Sequence, residues 1–182
     1  EKIYKELISK GKYDHLTLHR LAGISLKLGK KEEFLNYLKE SIKFKKDYAQ
    51  GYGELGNYFF SIGQIESALN YYLIAVKYRP NLYGAYINIG NIFAKLGRTE
   101  EALKNYKQAL IIKNDLPLAH YNIGNVLLKN KDFEQAEKSF LKVLSFENKN
   151  VESKIGLINI YLQTANINSL KKYKSFIKNV GL

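Results

Sequence analysis

The sequence predicts an all-α fold made of repeated pairs of antiparallel helices. First, the chain overlays itself when it is shifted by 34 residues, and segments 49–82, 83–116 and 117–150 align without a gap. Second, large apolar residues such as Leu55 and Phe59 recur at a spacing of four, which places them on one helix face. Third, columns of glycine and alanine recur with the repeat, and small residues let two helices approach closely.

The first half of each repeat is predicted to be a helix with a glycine near its middle. Such a glycine costs about 1 kcal/mol relative to alanine, so its regular return indicates close contact with a second helix. A further glycine column lies between the two halves, where a left-handed residue can end a helix. In the third copy we expect Asn130, one residue ahead of that column, to take this role. The mid-helix glycines are Gly56, Gly90 and Gly124, and those between the halves are Gly63 and Gly97.

The second half of each repeat supplies small and bulky partners for the first helix. Two columns of small residues and one aromatic column fall on a single helical face. Pro80 is expected to stop the second helix of its repeat, and Pro117 suits the first turn of a following helix. The columns hold Ala68, Ala102 and Ala136, then Tyr72, Tyr106 and Phe140, then Ala75, Ala109 and Val143.

This pattern resembles the tetratricopeptide repeat (TPR), whose units carry an aromatic residue, a Leu-Gly pair, a Tyr, an Ala, a second aromatic, an Ala and a Pro. The best copy has Tyr52, Leu55-Gly56, Phe59, Ala68, Tyr72, Ala75 and Pro80 at these positions. The resemblance implies a right-handed α-α superhelix whose concave groove holds other chains. We expect one solenoid domain over residues 1–182, with divergent end repeats. It would comprise an N-terminal helix within 1–14 and repeats at 15–48, 49–82, 83–116, 117–150 and 151–182.

The stretch GYGELG spells the dinucleotide motif G-x-G-x-x-G, but it does not predict a nucleotide site. A dinucleotide-binding turn follows a strand, and the residues before Gly51 do not read as one. Gly56 belongs to the mid-helix glycine column. The columns of Gly51 and Gly53 hold Ala85 and Ile87 in the next repeat, so we expect these two glycines to be incidental.

Asparagine recurs on the side of the first helices that would line the groove. Because asparagine is a poor mid-helix residue, this regularity needs a cause. Each amide offers a donor and an acceptor and could hold the backbone of an extended peptide. Two alternatives stay open: the amides link neighbouring helices, or an asparagine-rich composition fills solvent-facing positions. The predicted ladder holds Asn57, Asn91, Asn125 and Asn159 in one column and Asn88 and Asn122 in the column three residues earlier.

Apolar and basic residues on the same side are candidate contacts for the side chains of a ligand. Phe60, Ile87 and Tyr121 could form pockets for apolar groups, or they could pack within the stack. Lys95 and Lys129 share a column on the rim and would favour an acidic partner, although exposed lysine is most often solvated surface.

Two kinds of TPR groove provide comparisons. The asparagine ladder is similar to that of the TPR arm of O-linked N-acetylglucosamine transferases, where asparagines hold substrate polypeptide. The carboxylate clamp of TPR cochaperones matches less well. Asn57 and Asn88 agree with it, but Gly53, Leu118 and Asn122 stand where the clamp has charged residues. The resemblance therefore favours a ladder over a clamp.

Residues of common catalytic and metal sites are missing or isolated in the sequence. The chain has no cysteine, which excludes thiol catalysis and thiolate metal sites. His15 and His19 are four residues apart but lack a third ligand, and His120 stands in an aromatic column. No Ser-His-Asp set or phosphate loop can be assembled. We therefore predict a chain that is not an enzyme and binds neither a cofactor nor a metal.

Composition limits the partners only loosely. The chain has 182 residues and a formal net charge of +12, with basic residues concentrated toward its ends, so acidic partners of any kind would be attracted. No apolar run approaches the length of a membrane span, and the cytoplasm is the compartment that we expect. Because the chain starts at Glu1 and lacks methionine, we expect a segment of a longer protein.

The sequence thus predicts a protein-interaction scaffold that binds an extended peptide or a partner segment in a concave groove. Three alternatives stay open. The chain could be the substrate-recruiting arm of a larger transferase. It could be an RNA-binding helical repeat, although nucleic acid is less expected than protein. It could also self-assemble, with its basic ends docking on acidic surfaces of other copies.

Overall fold

The computed structural model describes residues 2–173 and residue 177, and this part of the chain is all-α, with eleven helices and no strand. The predicted fold class, an all-α helical repeat, is confirmed. Residues 174–176 and 178–182 of the predicted last repeat lie outside the described residues. The helices are α1 (Lys2–Ser9), α2 (His15–Lys27), α3 (Lys31–Phe44), α4 (Ala49–Ser61), α5 (Ile65–Tyr78), α6 (Tyr83–Lys95), α7 (Thr99–Ile112), α8 (Pro117–Lys129), α9 (Phe133–Phe146), α10 (Val151–Gln163) and α11 (Ile167–Lys171).

The chain forms two compact units, the first unit (Glu1–Asn88) and the second unit (Ile89–Leu182), and the division falls within α6. In the first unit α2 packs on α3 and α4 packs on α5. In the second unit α8 packs on α9, which also contacts α10. As predicted, α5 ends just before Pro80 and α8 begins at Pro117.

In the pairs α4–α5, α6–α7 and α8–α9, a mid-helix glycine meets an aromatic ring in the core. In the first unit, a Cβ added to Gly56 would come within 2.6 Å of the Tyr72 ring, so only glycine fits there without movement. The predicted close contact between the two helices is therefore confirmed, and the partner is the aromatic residue. The corresponding pairs in the second unit are Gly90 with Tyr106 at 2.5 Å and Gly124 with Phe140 at 2.7 Å.

The turn inside each pair contains one residue with left-handed backbone geometry. Gly63 and Gly97 have φ angles of 78° and 75°, as predicted. The expectation for Asn130 is wrong, because its φ is −85° and the left-handed residue is Lys131, with φ at 61°. The turn keeps its place in the repeat even where a side chain makes that geometry less favourable.

Gly51 is a packed position, which corrects the expectation that it is incidental. A Cβ there would lie 2.8 Å from the Tyr48 ring and 3.1 Å from Ile42. Gly53 differs, because its Cβ would meet nothing closer than Leu82 at 3.8 Å. Of the two glycines that precede Gly56 in the motif, only Gly53 is free of a packing requirement.

The first pair, α2 with α3, has Phe34 and Ser41 in the two columns that hold Ala68 and Ala75 in the next repeat. Phe34 lies in a buried cluster with Ala22, Leu38 and Leu55. Ser41 is fully buried, and its hydroxyl donates a 2.7 Å hydrogen bond to the carbonyl oxygen of His15. A buried hydroxyl needs such a partner, so this bond lets the divergent pair keep a close helix contact.

Candidate functional site

Asn57 in α4 is bound by the second helix of its own pair and by Asn88 of α6. The Tyr72 hydroxyl donates to Asn57 Oδ1 at 2.7 Å, and Asn88 Nδ2 donates to the same oxygen at 2.9 Å. We call these three residues the first network, and all of them belong to the first unit. The alternative in which asparagines link neighbouring helices therefore describes part of what Asn57 does.

The second unit repeats this arrangement around Asn91, in a second network with Tyr106 and Asn122. The Tyr106 hydroxyl donates to Asn91 Oδ1 at 2.8 Å, and Asn122 Nδ2 donates to the same atom at 2.9 Å. The networks thus share their donors, their acceptor and, within 0.1 Å, their distances. Such agreement indicates that the network is a regular feature of the repeat and not a chance contact.

Burial keeps the two tyrosine hydroxyls protonated. Tyr72 and Tyr106 are each 1% exposed, and desolvation raises the pKa of both to about 12. At Tyr72 a hydrogen bond from Asn88 acts in the opposite direction and lowers the pKa, but burial dominates. Each hydroxyl is therefore a steady donor at neutral pH, and it fixes the orientation of the asparagine that it binds.

The networks use only part of each amide. In the first network both bonds end on Asn57 Oδ1. Within the described part of the chain, neither Asn57 Nδ2 nor Asn88 Oδ1 makes a hydrogen bond. Asn57 is exposed and Asn88 is half-buried. One donor and one acceptor therefore remain on this face, and the second network leaves the same two atoms on Asn91 and Asn122.

Asn57 and Asn88 line a cavity of about 230 Å³ in the first unit. Its charged group is Glu54, whose Oε1 lies 3.1 Å from His19 Nε2. The imidazole of His19 packs edge-on against Tyr48, with ring centroids 5.3 Å apart. The full lining comprises Gln50, Gly53, Glu54, Asn57, Tyr72, Leu82, Gly84, Ala85 and Asn88.

Asn125, in the same column of the next repeat, has no such network. Phe140 and Gly156 occupy the positions of the tyrosine and of the second asparagine, so the two donors are missing. The fully buried Phe140 ring packs against Gly124 and Gly156, and a Cβ on either glycine would come within 2.7 Å of it. Asn125 and Asn159 are both exposed. The predicted ladder therefore contains two kinds of asparagine.

Three models of one repeat family match this chain. Two are described as tetratricopeptide repeat, one matching residues 17–48 and 49–82 and the other residues 117–150. The third, described as TPR repeat, matches residues 90–131. The chain belongs to the tetratricopeptide repeat family. The matches at 49–82 and 117–150 have the same bounds as two of the repeats found by self-comparison.

Solved TPR structures share this fold at low identity. MamA from Desulfovibrio magneticus RS-1, residues 41 to the end, is 17% identical with a TM-score of 0.81 and covers 92% of this chain and 94% of that chain. YrrB, described as a TPR protein with an unusual peptide-binding site, is 16% identical with a TM-score of 0.79 over 96% of this chain and 91% of its own. The first TPR of Spaghetti (RPAP3) bound to the HSP90 peptide SRMEEVD is 22% identical, with a TM-score of 0.62 over 64% of this chain and 93% of that chain. No curated protein matches the chain.

The other predicted contacts of the TPR groove have unequal exposure. Ile87 is 5% exposed, so its side chain is buried and not available to a ligand. Phe60 and Tyr121 are half-buried, and Lys95 and Lys129 are exposed. In the second unit Tyr121 lines a cavity of about 400 Å³ with Pro117, Leu118, Val143, Glu147, Asn150 and Glu152.

Sequence reasoning missed the hydroxyl of each network, because the tyrosines were interpreted only as bulky fillers of the TPR core. A signal was present: where the aromatic residue is Phe140, the second asparagine is replaced by Gly156. The contact between His19 and Glu54 was missed as well. Among the described residues no group of His, Cys, Asp and Glu side chains is arranged to hold a metal ion. In the same ranges no helix is both long and apolar enough to cross a membrane.

Proposed function

We propose that this chain is a protein-interaction scaffold in which asparagines of the first helices hold the backbone of an extended peptide. The TPR fold supports the broader class. The structural neighbours support a peptide as the ligand, since one is described with a bound peptide and another with a peptide-binding site. The proposal includes no catalytic role.

The observation that carries the proposal is the unused half of each network. An extended peptide needs an acceptor for its N–H groups and a donor for its C=O groups. Asn88 Oδ1 and Asn57 Nδ2 offer these two atoms on one face of the first unit. Because recognition would involve main-chain atoms, the contact would tolerate many peptide sequences.

The hydrogen bonds from the tyrosines distinguish Asn57 and Asn91 from amides on a solvated surface. Each Tyr hydroxyl binds the oxygen of its asparagine and so holds the amide in one orientation. A group that is already oriented loses less entropy when a ligand binds. In the second unit Asn91 and Asn122 repeat the arrangement, and Asn125 and Asn159 add exposed amides.

Side-chain contacts would supplement the main-chain contacts within each unit. Phe60 in the first unit and Tyr121 in the second are half-buried and could take apolar groups. Lys95 and Lys129, both exposed in the second unit, would favour acidic groups of the ligand there. Ile87 would support the fold beneath the site, since it is buried.

The test uses an array of synthetic decapeptides of varied sequence, probed with the whole chain. Binding peptides are then remade with alternate backbone nitrogens methylated, which removes N–H donors and leaves the side chains intact. We expect affinity to fall about tenfold or more, because two or more main-chain hydrogen bonds are lost. Equal binding of methylated and unmodified peptides would refute main-chain recognition.

Protein variants give the matching control. Asn125→Ala removes an exposed amide that no network holds, so it separates binding from stability. We expect it to weaken binding of peptides that occupy the second unit. Asn70→Ala makes the same change at an exposed position of α5, a second helix, and should leave binding unchanged. If the two variants bind alike, Asn125 takes no part in peptide binding, and the extension of the ladder beyond the two networks is refuted.

A further inference from the structure

Two glycines line the cavity of the first unit, and packing requires neither of them. A Cβ added to Gly84 would meet no atom within 4 Å, and one added to Gly53 would meet only Leu82, at an ordinary 3.8 Å. Neither residue has a positive φ. Since glycine is a poorer helix residue than alanine, the fold alone would favour alanine at both positions.

The effect of these glycines is open space next to the first network. In the following repeats the column of Gly53 holds Ile87 and Tyr121, and that of Gly84 holds Leu118. Larger side chains are thus compatible with this position of the repeat. Their absence leaves the cavity of about 230 Å³ beside Asn57 and Asn88. Alanine at these two positions would stabilise the helices but fill part of this space. The two glycines therefore indicate that the space is used by a ligand.

The polar lining of the cavity selects the charge of that occupant. Glu54 contributes a carboxylate, whose Oε1 lies 3.1 Å from His19 Nε2 so that Oε2 is left for a ligand. Asn88 contributes the Oδ1 acceptor that the first network leaves unused. An anionic group would be repelled by Glu54, whereas a cationic group could donate to both acceptors. Leu82 and Ala85 supply apolar surface, which suits the methylene stem of a long basic side chain.

We propose that this cavity binds an arginine side chain of the ligand peptide. The guanidinium carries five N–H donors in a rigid plane and can serve two separated acceptors at once. This inference rests on the proposed function, because the arginine is presented by a peptide that Asn57 and Asn88 hold. It makes the first unit selective for a basic residue, whereas Lys95 and Lys129 favour acidic groups in the second unit.

The probe is N-acetyl-arginine methylamide, and the control probe is the citrulline analogue, which has nearly the same shape and no charge. Binding is followed by NMR through the side-chain amide signals of Gln50, Asn57 and Asn88. We expect saturable shifts with the arginine probe and a loss of affinity of about twofold to fivefold with citrulline or in Glu54→Gln, as for one partly exposed ion pair. Equal affinity for both probes would overturn the proposal.

The glycines provide a second test, in which stability and binding are expected to change in opposite directions. Gly53→Ala and Gly84→Ala should each raise the unfolding temperature by about 2 °C and abolish the shifts caused by the arginine probe. Gly23→Ala is the matched control, since its Cβ would also meet nothing within 4 Å and it does not line the cavity. It should stabilise the chain and leave the probe bound. Alanine variants that bind the probe like wild type would overturn the proposal.

The peptide array separates this inference from the proposed function. If peptides bind through their backbone but replacement of arginine by citrulline changes nothing, the arginine site is refuted and the scaffold stands. If the arginine probe binds and no peptide of the array does, the main-chain proposal is refuted and the cavity keeps its cationic ligand.

Discussion

Asn91 and Asn125 occupy the same column of the repeat, 34 residues apart, yet their surroundings differ. Asn91 Oδ1 accepts hydrogen bonds from Tyr106 and Asn122, which lie 15 and 31 positions further along the chain. At the corresponding positions after Asn125 the chain has Phe140 and Gly156. One asparagine is therefore part of the helix packing, and the other is a side chain on the surface.

The difference teaches that a repeat column does not determine the role of its residues. Asn91 joins two helices with its oxygen, and its nitrogen makes no hydrogen bond in the described part of the chain. Asn125 keeps its whole amide, because the Phe140 ring fills the space against Gly124 and Gly156 instead of presenting a hydroxyl. The second unit has thus replaced polar networking with apolar packing at one repeat, without changing the asparagine itself.

The largest expected effect comes from rebuilding the missing amide by Gly156→Asn. A Cβ at this position would lie 2.7 Å from the Phe140 ring, which is fully buried. Overpacking of this kind costs about 3 kcal/mol of unfolding free energy, measured by urea denaturation. The control is Gly53→Ala, whose Cβ finds room. A Gly156→Asn chain as stable as wild type would show that the Phe140 ring can make room for an asparagine, and the packing difference between the two repeats would then be unimportant.

A smaller effect is expected from the matched pair Asn91→Ala and Asn125→Ala. Both changes improve helix propensity equally, so their difference isolates the network. Asn91→Ala removes the acceptor of the buried Tyr106 hydroxyl, which costs about 1–2 kcal/mol, whereas Asn125→Ala breaks no such bond. The comparison is made by urea denaturation of the two variants. Equal unfolding free energies would mean that the network contributes nothing to stability.

Each exchange of an aromatic residue should lower the unfolding free energy by about 1 kcal/mol. Tyr106→Phe removes one hydrogen bond to Asn91, and Phe140→Tyr places a hydroxyl in a pocket that was filled by a bare ring, so both should destabilise the chain. Thermal unfolding is the measurement. Stabilisation by Phe140→Tyr would show instead that Asn125 can form the network once a hydroxyl is present.

Most of the fold could be predicted from periodicity, because helix packing repeats with the chain. The close contacts of Gly56, Gly90 and Gly124 and the left-handed turns at Gly63 and Gly97 follow from local sequence rules. The left-handed geometry of Lys131 does not follow from these rules. The packed helices on either side set the position of the turn, whatever residue stands there. Gly51 was misjudged because its own column was compared only with Ala85, whereas its packing depends on Tyr48 and Ile42 of the preceding repeat.

The candidate site could be predicted only in part. The asparagine column was visible, but the division of each amide into a structural and an unused half depends on contacts between residues that are distant along the chain. The pairing of His19 with Glu54 has the same cause. Both side chains are polar residues on separate helices, and only the packing of α2 near α4 places them 3.1 Å apart.

The last comparison concerns alkaline pH and sets the network tyrosines against Phe140, which cannot ionise. Burial raises the pKa of Tyr72 and Tyr106 from 10.0 to about 12, so the folded chain keeps their protons where the unfolded chain loses them. Their contribution to stability is therefore complete below about pH 10 and is lost as the pH rises toward 12. In Tyr72→Phe/Tyr106→Phe this loss is absent, so the unfolding free energies of wild type and variant should change by different amounts between pH 10 and 12. Near-ultraviolet absorbance of tyrosinate should show two fewer late-ionising groups in the variant. An identical pH dependence would mean that the hydroxyls are hydrated and that the networks open readily, which would bring Asn91 closer to the surface behaviour of Asn125.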